Sequence, residues 1–145
     1  MNLPCGPMTT DSPWLAIETS GLAGSIALAL SDDVHVRSLE QAGRRHAQTL
    51  TREIRELLSE HHVAPRELAG VGVSLGPGSF TGLRVGVMCA KTLGYALRCP
   101  VMGVETFRVI AEGIIETDVS RLHVIGEAQR GALFLAEYAR SDSGW

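Results

Sequence analysis

The stretch that most restricts how this chain can fold runs from Ala69 to Leu97, AGVGVSLGPGSFTGLRVGVMCAKTLGYAL. Residues 71–75 form a short apolar run rich in β-branched side chains, the length of a buried strand. Gly76, Pro77 and Gly78 then turn the chain, and Ser79 is placed to cap a helix beginning at Phe80. No proline interrupts residues 80–97, which predicts a helix about 27 Å long. Gly82, Gly86, Ala90 and Gly94 recur every four residues and so share one face of it. A glycine inside a helix costs roughly 1 kcal/mol relative to alanine, so a stripe carrying two of them gains something from close backbone approach. Two readings stay open at this point. The helix lies tightly on its own sheet, or it lies tightly on a helix of another chain.

Around this unit the hydrophobic period changes several times. Residues 14–19 (WLAIET), 25–30 (SIALAL) and 34–39 read as three strands joined by short turns, an antiparallel meander. In the third, Val34, Val36 and Ser38 alternate with His35, Arg37 and Leu39. From 46 to 61 the period becomes helical, with Ala47, Leu50, Ile54, Leu57, Leu58 and His61 on one stripe and Arg52, Glu53, Arg55, Glu56 and Glu60 on the solvated side. Pro65 ends that region. After the central unit, 100–104 is a strand and 106–116 a helix with Phe107, Ile110, Ala111 and Ile114 inward. Residues 122–125 and 132–138 then pair as a hairpin across the turn at 127–131. The order βββαβαβα followed by a hairpin predicts an α/β fold, a mixed sheet with helices over it. The closing hairpin looks like the opening of a second copy of the meander, cut short. The expected division is a disordered leader at 1–12, a first half at 13–117 and the start of a second half at 118–145.

Composition narrows the function classes. No apolar run approaches the ~20 residues a membrane helix needs, and the N-terminus lacks the basic start and apolar core of a signal peptide. Three cysteines without a CxxC pair suit a reducing cytosol, with Cys89 a small hydrophobe in mid-helix. A net charge of −3, with scattered arginines, argues against a protein that binds nucleic acid unaided.

Several motifs invite chemical readings. The loop from Gly76 to Gly82 is not a Walker loop, since no lysine follows Gly82, and Thr81 stands at the third glycine of a dinucleotide fingerprint. Gly72-Val73-Ser74-Leu75-Gly76 matches GxSxG, with Asp118 and His123 downstream in hydrolase order. A nucleophile elbow needs its serine at the sharp turn, however, and Ser74 falls two residues before it, inside the strand. Glu18-Thr19-Ser20 with Gly24-Ser25 resembles the first phosphate hairpin of actin-like ATPases, and Glu127 is the mirror acid at the second meander. His46, His61 and His62 form neither HxxxH nor HExxH, so no metal site is expected.

At GPGSFTGLRVG the sequence resembles the bacterial TsaB (YeaZ-like) proteins of tRNA threonylcarbamoyladenosine biosynthesis. LAIETSGLAGSIALAL, RRHAQTL, PVMGVETF and EAQRGALFLAEY carry the likeness over residues 14–142. The resemblance implies an actin-like (ASKHA, ribonuclease-H-like) fold with a mixed five-stranded sheet and a truncated second half. It implies a cytosolic, non-catalytic subunit that docks on the TsaD-type transferase acting on tRNA adenosine 37. That enzyme's TsaE-type ATPase joins the assembly, and the docking subunit pairs with itself in their absence. The tRNA would then be met only indirectly. On this reading the helices at 46–61 and 80–97 form the interface, with Leu50, Ile54, Phe80, Gly82, Leu83, Gly86, Ala90 and Gly94 at the contact. The catalytic relatives carry a VHHMEGH-type metal motif where this chain has Glu105-Thr106-Phe107-Arg108-Val109, so no metal or catalytic residue is expected. Glu18, Thr19, Ser20, Ser25 and Glu127 would mark a degenerate nucleotide site. Glutamates replace the family's usual aspartates there and Gln129 an arginine, leaving ATP and magnesium to the complex. The alternative is an actin-like nucleotide-binding ATPase or kinase-like enzyme.

Overall fold

A computed structural model describes residues 12–39, 46–114, 118–141 and 144–145. The expected leader therefore lies outside the described residues, Ser12 excepted. Strands β1 (Trp14–Glu18), β2 (Gly24–Leu30) and β3 (Asp33–Leu39) form the meander, and α1 spans His46–Glu60. A single 3-10 turn at Pro65–Glu67 leads into β4 (Gly70–Ser74), α2 (Phe80–Leu97), β5 (Val101–Val104) and α3 (Thr106–Glu112). The hairpin is β6 (Arg121–Glu127) and β7 (Leu133–Ala139). The first five strands make one mixed sheet in the order β3-β2-β1-β4-β5, in which β1, β4 and β5 run parallel, while β6 and β7 pair separately.

Alternation along the strands decides where the core sits. Leu15 and Ile17 on β1, Ile26 and Leu28 on β2, and Val71 and Val73 on β4 point to one face. There they meet Leu50, Ile54, Leu57 and Leu58 of α1 and Ala90 of α2. The meander's last strand uses its polar side for this contact. Arg37 reaches Glu53 (3.3 Å), Glu56 (3.5 Å) and Glu60 of α1, and the His35 and His61 rings stack with centroids 3.7 Å apart. Glu53 and Glu60, expected on the solvated side, thus take part in the strand-to-helix joint. Val34 and Val36 are left exposed on the opposite face.

The glycine stripe faces inward. Gly82, Gly86, Ala90 and Gly94 are the buried residues of α2. A Cβ at Gly82 would overlap the Thr19 carbonyl oxygen, one at Gly86 the Thr19 hydroxyl, and one at Gly94 the Val101 side chain. The missing side chains let α2 lie on β1 and β5 of its own chain. Gly82, Gly86, Ala90 and Gly94 are therefore not available to a partner, which corrects the interface expected from the stripe. Leu50 and Ile54, 1% and 4% exposed, are also core residues, because α1 packs its apolar stripe on the same sheet. Phe80 is exposed and Leu83 half-buried.

The third helix is shorter than the periodicity predicts. It ends at Glu112, with Gly113 closing the last turn onto Ala111, Ile110 and Val109 carbonyls. Phe107 and Ala111 are buried with Val124 and Trp145, while Ile110 and Ile114 are exposed rather than inward. Thus α3 packs on the β6–β7 hairpin. Among the described residues no helix is long and apolar enough to cross a membrane.

Candidate functional site

Two features compete as the functional site: the turn after β1 and the groove between α1 and α2. At the first, Ser79 caps α2 as expected, accepting from the Gly82 N–H at 3.2 Å. Gly76, with φ of +100°, makes the turn before it, in a region closed to most side chains. The β1–β2 turn is bound to this helix start. Thr19 Oγ1 donates to the Gly82 carbonyl at 2.8 Å, and the Ser79 N–H donates to the Ser20 carbonyl at 2.7 Å. The Glu18 carboxylate accepts from the Ser20 N–H. Thr19 and Ser20 are buried, Ser25 is half-buried, and Glu127 is exposed at the end of β6. Of the groups expected to hold a nucleotide's phosphates and magnesium, the Thr19 hydroxyl and the Glu18 carboxylate are thus engaged by the chain's own backbone.

Ser74 ends β4 inside the sheet, 5% exposed, and its hydroxyl has no hydrogen-bond partner among the described residues. Asp118 and His123 are both exposed, and His123 lies 3.8 Å from Glu137. Among the described residues no base is hydrogen-bonded to Ser74, and the GxSxG spacing here falls at the end of a strand. Of the three histidines, His61 stacks on His35 and His62 is exposed, while the side chain of His46 lies outside the described residues. Among the described residues no three His, Cys, Asp or Glu side chains are grouped to hold a metal.

The groove has a different character. It encloses about 470 Å³ between the two helices and is mainly apolar. Buried Leu50 and half-buried Val85, Cys89 and Leu93 form its floor; Thr51, Thr81, Arg84, Met88 and Thr92 form its exposed walls. Just outside, the Arg84 guanidinium lies 5.5 Å from the centroid of the exposed Phe80 ring, a cation–π contact. Tyr95 continues the same outer side of α2 and is 90% exposed. Burial pushes the Cys89 thiol above its ordinary range, so it is neutral and apolar in character. An apolar trough flanked by an exposed aromatic, a methionine and an arginine suits macromolecular contact.

The sequence reading named Leu50 and Phe80 on these two helices but followed the glycines for the rest, and so passed over Arg84 and Met88. The signal was nevertheless present: Phe80, Arg84, Met88 and Tyr95 fall within about 80° of one another at 100° per residue, roughly opposite the glycine stripe. An apolar set on the second side of a helix whose first side is already packed marks a surface with further business.

Comparison with known proteins adds independent information. Residues 39–143 match the family model described as TsaD, tRNA N6-adenosine threonylcarbamoyltransferase. The chain is 32% identical over 124 residues to the tRNA threonylcarbamoyladenosine biosynthesis protein TsaB of Bacillus subtilis, covering 86% of this chain and 54% of that one. It is 30% identical over 131 residues to the protein of the same name in Escherichia coli, covering 90% and 56%. Among solved structures, YeaZ from Pseudomonas aeruginosa superposes with a TM-score of 0.83 at 29% identity, over 92% of this chain and 62% of that one. A second Pseudomonas aeruginosa structure with the same TM-score is described as similar to peptidase YEAZ. The chain spans about half the length of the curated relatives it matches.

Proposed function

This chain belongs to the TsaB/YeaZ family, and from that premise we propose that it is a non-catalytic docking subunit in threonylcarbamoylation of tRNA adenosine 37. It has the family's actin-like, ribonuclease-H-like fold, with the mixed five-stranded sheet. The observation that carries the docking reading is the α1–α2 groove, apolar and open, with Phe80, Arg84 and Met88 beside it. The partner is a TsaD-type catalytic subunit, which seats a helix against the outer side of α2. In its absence the same groove pairs with a second copy of this chain. A TsaE-type ATPase joins through that assembly, in the cytoplasm, and the tRNA is met by the complex. On this reading the chemistry lies with the partner, while Thr19 and Glu18 at the β1–β2 turn bind the chain's own backbone. Nucleotide and magnesium belong to the complex.

Met88→Asp tests this. Met88 is 62% exposed, so the substitution leaves the fold and melting temperature near those of the parent. A charge desolvated in an apolar contact costs several kcal/mol, so association with a TsaD-type subunit should weaken at least a hundredfold by calorimetry. Unchanged affinity would remove the groove as the docking site.

A further inference from the structure

Between Glu67 and Glu105 the chain carries no carboxylate, although its net charge is −3. The charged residues of that stretch are Arg84, Lys91 and Arg98, evenly spaced along α2 and its cap. Seven residues turn a helix through about 700°, so the three fall within about 40° of one another, at intervals of about 10.5 Å. They lie on the outer side of the helix with Phe80, Met88 and Tyr95. All three cations are exposed, and none is paired with a carboxylate among the described residues. Arg55 extends the same sign of charge onto α1. It falls about 40° around that helix from Thr51 on the groove wall, whereas Glu53, Glu56 and Glu60 fall about 140–200° away. Those three carboxylates turn to Arg37 on β3. On its two helices, the apolar groove is therefore edged by cations and by no acid.

We propose that this row of cations selects the occupant of the groove: it admits a partner helix bearing carboxylates at seven-residue spacing and holds a second copy of this chain to weak pairing. The inference rests on the docking reading of the groove and adds the partner's chemistry to it. Identical chains meet through one shared patch about a two-fold axis. With two α2 helices parallel, each cation faces its own counterpart. With the helices antiparallel about Lys91, Arg84 of each copy faces Arg98 of the other. Cation meets cation either way, and residues 80–97 contain no acid to offset them. Like-charge contacts of this kind exclude the wrong partner more than they strengthen the right one. An acidic helix matches the row because its positions i and i+7 share a face at the same interval. A nucleic acid strand matches it less well. Its phosphates follow about every 3.4 Å, while the intervals here are filled by exposed Met88 and Tyr95.

The sign of the salt effect tests this, read by calorimetry for the partner and by sedimentation for self-association of the 145-residue chain. From about 0.05 to 0.5 M sodium chloride, affinity for a TsaD-type subunit should fall at least tenfold while self-association strengthens. A triple variant, Arg84→Gln with Lys91→Gln and Arg98→Gln, keeps a good helix former at exposed sites, so its circular dichroism should match the parent. It should bind the subunit at least tenfold more weakly, pair with itself more tightly, and lose both salt slopes. A control with the same loss of charge away from α2, Arg108→Gln with Arg121→Gln and Arg130→Gln, should behave as the parent. Binding that Met88→Asp abolishes but that ignores salt and the triple variant overturns the selection and leaves the docking site standing. Binding indifferent to Met88→Asp removes the docking site and the selection with it. Self-association that weakens with salt also overturns the proposal. So does binding of unmodified tRNA by the isolated chain that the triple variant abolishes while affinity for the subunit is unchanged, since the cations would then serve nucleic acid.

Discussion

Thr19 and Gly82 illustrate how little room the structure leaves at the turn after β1. The threonine hydroxyl donates to the Gly82 carbonyl, and the Thr19 carbonyl oxygen occupies the space a Cβ on residue 82 would need. Because the obstacle is backbone, it cannot swing away as a long side chain would. Gly82→Ala gains up to about 1 kcal/mol of helix propensity, which overpacking of this kind exceeds at roughly 1–3 kcal/mol. We expect a lower melting temperature by several degrees, read by calorimetry. Gly86→Leu should be worse, failing to give a cooperative unfolding transition, since its side chain would enter the Thr19 hydroxyl and Ile17 methyl. Either variant melting at or above the parent would mean the stripe is not packed on β1.

Between β3 and α1 the joint is electrostatic where a simple strand pattern suggests otherwise. Arg37 gathers Glu53, Glu56 and Glu60, and Arg52 also binds Glu53. The Glu53 carboxyl is held below its ordinary range, first by the hydrogen bond from Arg52 and further by Arg37, against an opposing desolvation. A depressed carboxylate contributes stability above the unfolded-state range and loses it as pH falls through the folded value. Arg37→Met should therefore destabilise by up to about 1 kcal/mol at pH 7, as exposed ion pairs do, and be nearly neutral at pH 3. Urea unfolding at the two pH values measures this; a difference that persists at pH 3 would assign Arg37 a packing role instead. The same joint marks the limit of sequence reasoning. Strands, the first two helices and the Ser79 cap could be read to within a residue or two from period and turn chemistry. Which side of β3 faces the helix could not, because Val34 and Val36 name the wrong face. The stripe on α2 gave the right proximity but the wrong neighbour, since periodicity specifies a close approach without saying what approaches. Helix α3, expected to run to 116, ends at Glu112, and residues 115–117 lie outside the described set. Ile110 and Ile114 keep helical spacing without a layer to cover them.

For the molecule as a whole, the division of labour follows from where polar atoms are spent. The Thr19 hydroxyl and the Glu18 carboxylate at the β1–β2 turn already bind backbone groups of the chain, so titration of the isolated chain with Mg-ATP should give no heat of binding beyond dilution at millimolar nucleotide. Saturable heat would revive the actin-like ATPase reading through Glu18, Ser20 and Ser25. In a reconstituted mixture of TsaD-type subunit, TsaE-type ATPase and tRNA, modified adenosine should rise when this chain is added and fall back with Met88→Asp. Equal modification with and without the chain would deny it the docking role.

The thiol in the groove floor gives that interface a built-in witness. Cys89 is half-buried and burial raises its thiol above the ordinary range, so alkylation through the open side should be slow. Any body settling between the two helices must close that route, and the rate of a single sulfur's chemistry then reports occupancy without a tag, a dye or a second mutation.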